Sequence, residues 1–141
     1  MSRVYWDSMV FVYWLENHPT YAPRTEQIFR SMLSRGDHLC VSYLSVGEVL
    51  TGPLKHNRHQ LAAKIEQFFD SGLLVYLPFD RKAAGQFARL RSSQKVSPAD
   101  AIHLACAGAA GVDLFLTHDT SLHKMQVDGI EFIAGLNVNV L

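Results

Sequence analysis

Residues 97–119 read SPADAIHLACAGAAGVDLFLTHD, and the fold follows from where this stretch changes its period. Ser97, Pro98 and Asp100 are an N-cap, a first-turn proline and a third-position carboxylate, which together open a helix. Ala99 to Ala110 continues in small apolar side chains that suit a helix packed closely on both sides, and Gly111 stops it. Leu114, Phe115 and Leu116 form an apolar run too short for a helix and typical of a buried parallel strand. Thr117-His118-Asp119 falls where that strand ends. A helix crossing over to a strand beside a parallel neighbour brings Asp100 and Asp119 to one edge of the sheet.

Toward the N-terminus the same alternation repeats. Arg3 to Trp6 reads as a strand, and Asp7-Ser8 breaks it into a helix running to about Asn17. Pro19 and Pro23 bracket a loop, and Thr25 to Arg35 carries Ile28, Phe29, Met32 and Leu33 at helical spacing before Gly36. His38 to Leu44 is a second strand. Ser45-Val46-Gly47-Glu48 has capping-box spacing and opens a helix that ends near Gly52-Pro53. Gln60 to Ser71 is an amphipathic helix, Leu73 to Leu77 a third strand, and Arg81 to Ser92 a helix with Ala84, Phe87, Ala88 and Arg91 on one stripe. After Asp119 a helical turn through Lys124 is expected, then a strand over Ile130 to Ile133, with the tail Asn137 to Leu141 continuing it or pairing elsewhere. Strands alternating with helices predict a layered α/β fold around a mainly parallel sheet.

The composition agrees with one folded domain. The chain has 141 residues with 48% hydrophobic and 18% charged content, enough to bury a core and too apolar for a disordered chain. The longest apolar stretch, Ala101 to Val112, is too short to span a bilayer. The start carries Asp7 and Glu16 with no small-residue cleavage site, so no secretory signal is read and a cytoplasmic location is expected. Cys40 and Cys106 lie in apolar segments without CxxC spacing, as buried free thiols do.

Thirteen Lys and Arg balance thirteen Asp and Glu. If Asp7, Glu48, Asp100 and Asp119 form one cluster neutralised by a metal, the remaining charge is positive. Arg81, Lys82, Arg89, Arg91 and Lys95 then supply a basic span suited to a polyanion; solvated helix faces explain the same residues equally well. Each acid also has an ordinary reading by itself, Asp7 as an N-cap and Glu48 as a capping acid. In a parallel α/β sheet, however, all four come from segments that meet outside the carboxyl ends of the strands, where such folds place their sites. Four clustered carboxylates repel, and a hard divalent cation such as Mg²⁺ removes the conflict. Seven His and two Cys without tight ligand spacing argue against zinc. An acid-rich phosphatase would want a second Asp at position nine, where Met9 stands, and no GxSxG nucleophile elbow is present.

The set Asp7-Ser8, Ser42-x-x-Ser45-x-x-Glu48, Pro98-Ala99-Asp100-Ala101-Ile102 and Thr117-His118-Asp119 resembles, in order and spacing, the acidic motifs of PIN-domain nucleases. The chain is similar in size to the VapC-type toxins of toxin–antitoxin pairs. The resemblance implies a three-layer α/β/α fold with a five-stranded, mainly parallel sheet, filled by residues 1–141 as one nuclease domain. It implies an endoribonuclease dependent on Mg²⁺ or Mn²⁺, a homodimer, and inhibition by a small antitoxin. Asp7, Asp100 and Asp119 would hold the metal directly or through water. Glu48 would complete the ligand set or orient and deprotonate the attacking water, and Ser8 and Thr117 would hydrogen-bond behind these ligands. Many relatives carry Asn where His118 stands, so a polar contact differs there. His103, one turn past Asp100, reads either as a pocket residue or as a packed, hydrogen-bonded helix histidine. Tyr5, Trp6, Phe11, Tyr13 and Trp14 are available for base stacking, and otherwise belong to the core or a dimer surface. A housekeeping RNA-processing nuclease and a non-catalytic acid-pocket module are the competing readings.

Overall fold

Two glycines fix how the chain turns and passes around the last helix in the computed structural model, which describes residues 1–137. Gly111 ends the helix at φ 77°, a left-handed conformation that glycine adopts without Cβ strain. The strand Val112–Leu116 starts on the next residue. Gly129 (φ 87°) lets the later chain pass so close to the same helix that a Cβ there would lie 1.9 Å from the Gly108 carbonyl oxygen.

The elements in chain order are β1 (Arg3–Trp6), α1 (Ser8–Leu15), α2 (Ala22–Arg35), β2 (His38–Val41), α3 (Tyr43–Lys55), α4 (His59–Phe69), β3 (Leu74–Tyr76), α5 (Arg81–Ser93), α6 (Pro98–Ala110), β4 (Val112–Leu116), a 3-10 turn (Thr120–Leu122) and β5 (Ile130–Ala134). The sheet order is β3-β2-β1-β4-β5, and every pairing is parallel. This is the expected five-stranded three-layer α/β/α fold. Most of the tail strand expected to Leu141 lies outside the described residues.

Strand side chains alternate between two cores. Val4, Trp6, Leu39, Val41, Leu114 and Leu116 pack with residues of α1 to α4. Tyr5, Cys40 and Phe115 point the other way, onto Ala101, Leu104 and Ala105 of α6 and Ala83 and Leu90 of α5. Each large side chain so buried contributes about 1.5–3 kcal/mol. An exposed pair such as Arg30–Glu26 at 2.9 Å contributes about 0.3–0.5 kcal/mol. The two cores therefore hold the sheet in place, and with it whatever stands on its carboxyl edge.

Several details of the elements differ from the sequence reading. β2 stops at Val41, because Ser42 caps α3 and forms a capping box with Ser45. The local capping bonds outweigh the β-propensity of Tyr43. Glu48, one turn further, is thereby freed from the capping role. α2 begins at Ala22 with Pro23 in its first turn, where the missing N–H costs nothing. On α5 the buried stripe is Ala83, Gln86 and Leu90. Gln86 belongs to it because its amide donates to the Asp128 carbonyl, a partner that hydrophobicity cannot reveal. Both thiols are free and buried, and burial pushes Cys106 up to about 11. Among the described residues no helix is long and apolar enough to cross a membrane.

Candidate active site

Asp7 is the first residue beyond β1. Its N–H donates to the Leu116 carbonyl at 2.9 Å, so the β1–β4 ladder carries it to the end of β4. There it caps α1, its Oδ1 accepting the Ser8 N–H at 2.8 Å. Thr117, fully buried just past β4, donates its hydroxyl to Asp7 Oδ2 at 2.8 Å and accepts the Asp119 N–H at 3.1 Å. One threonine thus ties two acids from distant parts of the sequence. Asp119 Oδ1 in turn accepts the N–H and hydroxyl of Ser121 at 3.0 and 2.7 Å. Asp113 of β4 lies at the opposite edge, where its Oδ2 accepts the Arg3 N–H at 2.7 Å.

Glu48 reaches the same edge from α3. Its Oε1 accepts the Ser8 hydroxyl at 2.6 Å and faces His103 Nε2 at 2.5 Å. His103 is buried on α6, and its Nδ1 lies 2.6 Å from the Tyr5 hydroxyl. That phenol donates to Ser42 Oγ at 2.9 Å, so the network runs from the α3 cap to Glu48. The His103 hydrogen bond, with that of Ser8 and the His103 charge assisting it, holds the Glu48 carboxyl below its usual range against the opposing effect of burial. A Glu48 carboxylate can only accept, so Nε2 carries the hydrogen between them.

Asp100 has the opposite surroundings. It stands in the first turn of α6, held in register by Ser97, whose hydroxyl accepts its N–H at 3.2 Å. Burial pushes its carboxyl above the usual range, and the charges of Asp7 and Asp119 add to the rise; Ser97 and His103 offset part of it. Asp7, Ser8, Glu48, Asp100 and Asp119 line one open pocket of about 570 Å³, joined by Met9, Val12, Tyr13, Thr51 and His118. Of Asp7, Ser8, Glu48, Asp100, Thr117 and Asp119, Thr117 alone does not line it; its hydroxyl acts through Asp7. His103 does not line the pocket; it is the packed, hydrogen-bonded helix histidine, and one of its partners is the pocket acid Glu48. The relay through Tyr5 and Ser42 was not anticipated; the buried Ser42-x-x-Ser45 pair facing a strand tyrosine was its only trace.

The donor set is all carboxylate and hydroxyl oxygen, which suits a hard cation such as Mg²⁺ or Mn²⁺ and not a soft one. Among the described residues, no three His, Cys, Asp or Glu side chains stand close enough together to make a metal site by themselves. A cation that keeps several waters and takes few carboxylates directly, as Mg²⁺ does, fits that spacing. Asp100, its carboxyl raised by burial and further by the charges of Asp7 and Asp119, is the carboxylate such a cation would most favour.

Comparison with solved structures gives the same arrangement of elements. VapBC2 from Rickettsia felis, solved bound to a DNA fragment from their promoter, matches with TM-score 0.76 and 13% identity, over 94% of this chain and 98% of that one. DNA-bound VapBC from Salmonella typhimurium matches at 0.75 and 21%, over 96% and 99%. VapC20 of Mycobacterium tuberculosis, described as a sarcin–ricin loop cleaving toxin, matches at 0.70 and 13%, over 87% and 96%. At these identities the likeness is one of fold. A comparison with curated proteins returned no match. The PIN domain family matches residues 4–127, nearly the whole described chain and every acid of the pocket, and the protein belongs to the PIN-domain family.

Proposed function

We propose that this chain is an endoribonuclease that works with Mg²⁺ or Mn²⁺, and that it is the toxin of a toxin–antitoxin pair. The observation that carries the nuclease reading is the pocket itself: four acids from four segments at the carboxyl edge of a parallel sheet. Asp7, Glu48, Asp100 and Asp119 would hold the cation, directly or through water. Bound there, it would offset charge on a phosphodiester and lower the pKa of a coordinated water. Glu48, kept ionised by His103 and Ser8, accepts the proton of the attacking water. Ser8 and Thr117 fix the Asp7 carboxylate by a bond to each oxygen, so Asp7 presents one geometry. Residues 1–141 act as one domain in this reading.

The toxin reading is supported by fold likeness to VapBC chains over almost their whole length. A small antitoxin carrying Arg would suit the pocket, because a guanidinium pairs bidentately with carboxylates and competes with a cation. A homodimer in the cytoplasm is the assembly that accompanies this reading.

Incubation with single-stranded RNA tests the chemistry. Cleavage is expected with Mg²⁺ or Mn²⁺, none in excess chelator, and recovery when metal is returned. Undiminished cleavage in chelator would refute the mechanism, and RNA binding without cleavage would favour a non-catalytic module. Expression alone should arrest growth, the Asp7→Asn variant should not, and the neighbouring small gene should rescue. Harmless expression of an active protein would favour a housekeeping RNA-processing nuclease.

A further inference from the structure

Four rings cluster beside the acid pocket, two of them, Tyr13 and His118, lining it. The Tyr13 centroid lies 5.6 Å from that of His118 and 4.8 Å from that of Tyr21. Tyr21 lies 4.6 Å from His118 and stacks on His18 at 4.8 Å. All four rings are half-buried, unlike Trp6 and Phe11, whose fully buried rings no ligand can reach. His18 is pinned, its Nδ1 accepting the backbone N–H groups of Thr20 and Tyr21 at 3.1 and 3.2 Å. The ring cluster is therefore fixed before anything binds, which lowers the ordering cost of a ligand.

The cluster joins two hollows. Tyr13 and His118 line the acid pocket. His118 and Tyr21 also line a second hollow of about 520 Å³, with Thr120, His123 and Leu136. Four of the ten residues lining the first hollow are acidic and none of those lining the second is. A strand leaving the first hollow through the second would escape carboxylate repulsion as it crosses the rings. Arg24, whose Nε donates to the Leu136 carbonyl at 2.6 Å, stands at the far side.

We propose that Tyr13, His118 and Tyr21 form a stacking shelf for unpaired RNA bases next to the phosphate held at the acid pocket. This rests on the ribonuclease reading and deepens it: the shelf engages unpaired bases through their faces, beside the phosphate to be cleaved. Aromatic faces accept any base, whereas paired bases in an A-form duplex keep their faces inside the helix. His118 thereby gains a role in base binding beside Asp119.

The test measures binding of a fluorescent single-stranded oligoribonucleotide in chelator, and its cleavage with Mg²⁺, for wild type, Tyr21→Ala, His118→Ala and Tyr43→Ala. Tyr43 is the control: 73% exposed and stacked on Tyr76, it lines neither hollow. Tyr21→Ala and His118→Ala should each weaken binding about tenfold and raise KM with kcat little changed. Tyr21→Phe should restore both, and Tyr43→Ala should match wild type. Abasic residues in the oligonucleotide should cost wild type the same factor and cost the Ala variants little more. Wild-type KM in both Ala variants, on intact and abasic RNA alike, would overturn the shelf and leave the nuclease standing. Failure of wild type to cleave any RNA would overturn both.

Discussion

On the α3 side of the pocket, Glu48 receives hydrogen bonds from Ser8 and His103, and its carboxyl is held below the usual range. Across from it, at the start of α6, Asp100 is held above that range by burial, with Asp7 and Asp119 adding to the rise. The same residue chemistry is stabilised by the protein on one side and left in conflict on the other. The difference teaches that the pocket is prepared unequally. Glu48 is held ionised, whereas the Asp100 charge is offset by the protein only in part, through Ser97 and His103.

The largest effect should come from the unsatisfied side. Asp100→Asn should cut RNA cleavage by more than the roughly 10–100-fold that an outer-shell partner costs, while circular dichroism shows an unchanged fold. Activity near wild type would remove Asp100 from the site and erase the contrast.

On the prepared side, His103→Leu removes one hydrogen bond from the Tyr5 phenol, which keeps Ser42, and one from Glu48, which keeps Ser8. Each lost bond should cost about 0.5–1.5 kcal/mol of stability, and cleavage should fall about 10–100-fold. His103→Gln, which keeps an N–H donor for Glu48, should recover part of the activity. Equal activity in the Leu and Gln variants would mean that His103 only fills space.

Smaller, and opposite in sign, are the pH linkages without metal. Glu48 has a lowered folded pKa, so its contribution to stability is present above its unfolded value and is lost as pH falls through the folded one. Asp100 has a raised folded pKa, so its contribution is present below its unfolded value and is lost as pH rises through the folded one. Glu48→Gln should therefore destabilise the neutral protein by about 1 kcal/mol, the charged hydrogen-bond value discounted for its half-exposed position. Urea unfolding at pH 4 and pH 7 should show that deficit shrinking toward acid. A deficit constant with pH would mean that Glu48 is not held ionised by its partners.

How much of this was legible in the sequence divides along the same line. The caps of α6, the stop at Gly111 and the apolar run of β4 are local signals, and they located Asp100 and Asp119 at one edge. The Ser8 and Thr117 hydroxyls were expected behind the acids through the resemblance to PIN-domain nucleases, not from local patterning. The His103–Tyr5–Ser42 relay could not, since it joins α6, β1 and the cap of α3 across up to 98 residues. The capping box was read three residues late because Ser42 and Ser45 each begin an acceptable motif, and only packing chooses between them. The ring cluster is hidden for a similar reason: the sequence offers Tyr13 for stacking alongside four other aromatics and does not single it out, and Tyr21 and His118 meet it only once α1, α2 and the end of β4 are assembled.

The central claim is that Asp100 belongs to a carboxylate group completed by a cation, and thermal unfolding with and without Mn²⁺ tests it most directly. In chelator, Asp100→Asn should melt above wild type, because the substitution removes a buried, repelled charge. Mn²⁺ should then raise the wild-type midpoint, by the equivalent of about 2.7 kcal/mol at a hundredfold excess over Kd, and barely move the variant, so that the order reverses. Parallel shifts in the two proteins, or none in either, would contradict the account.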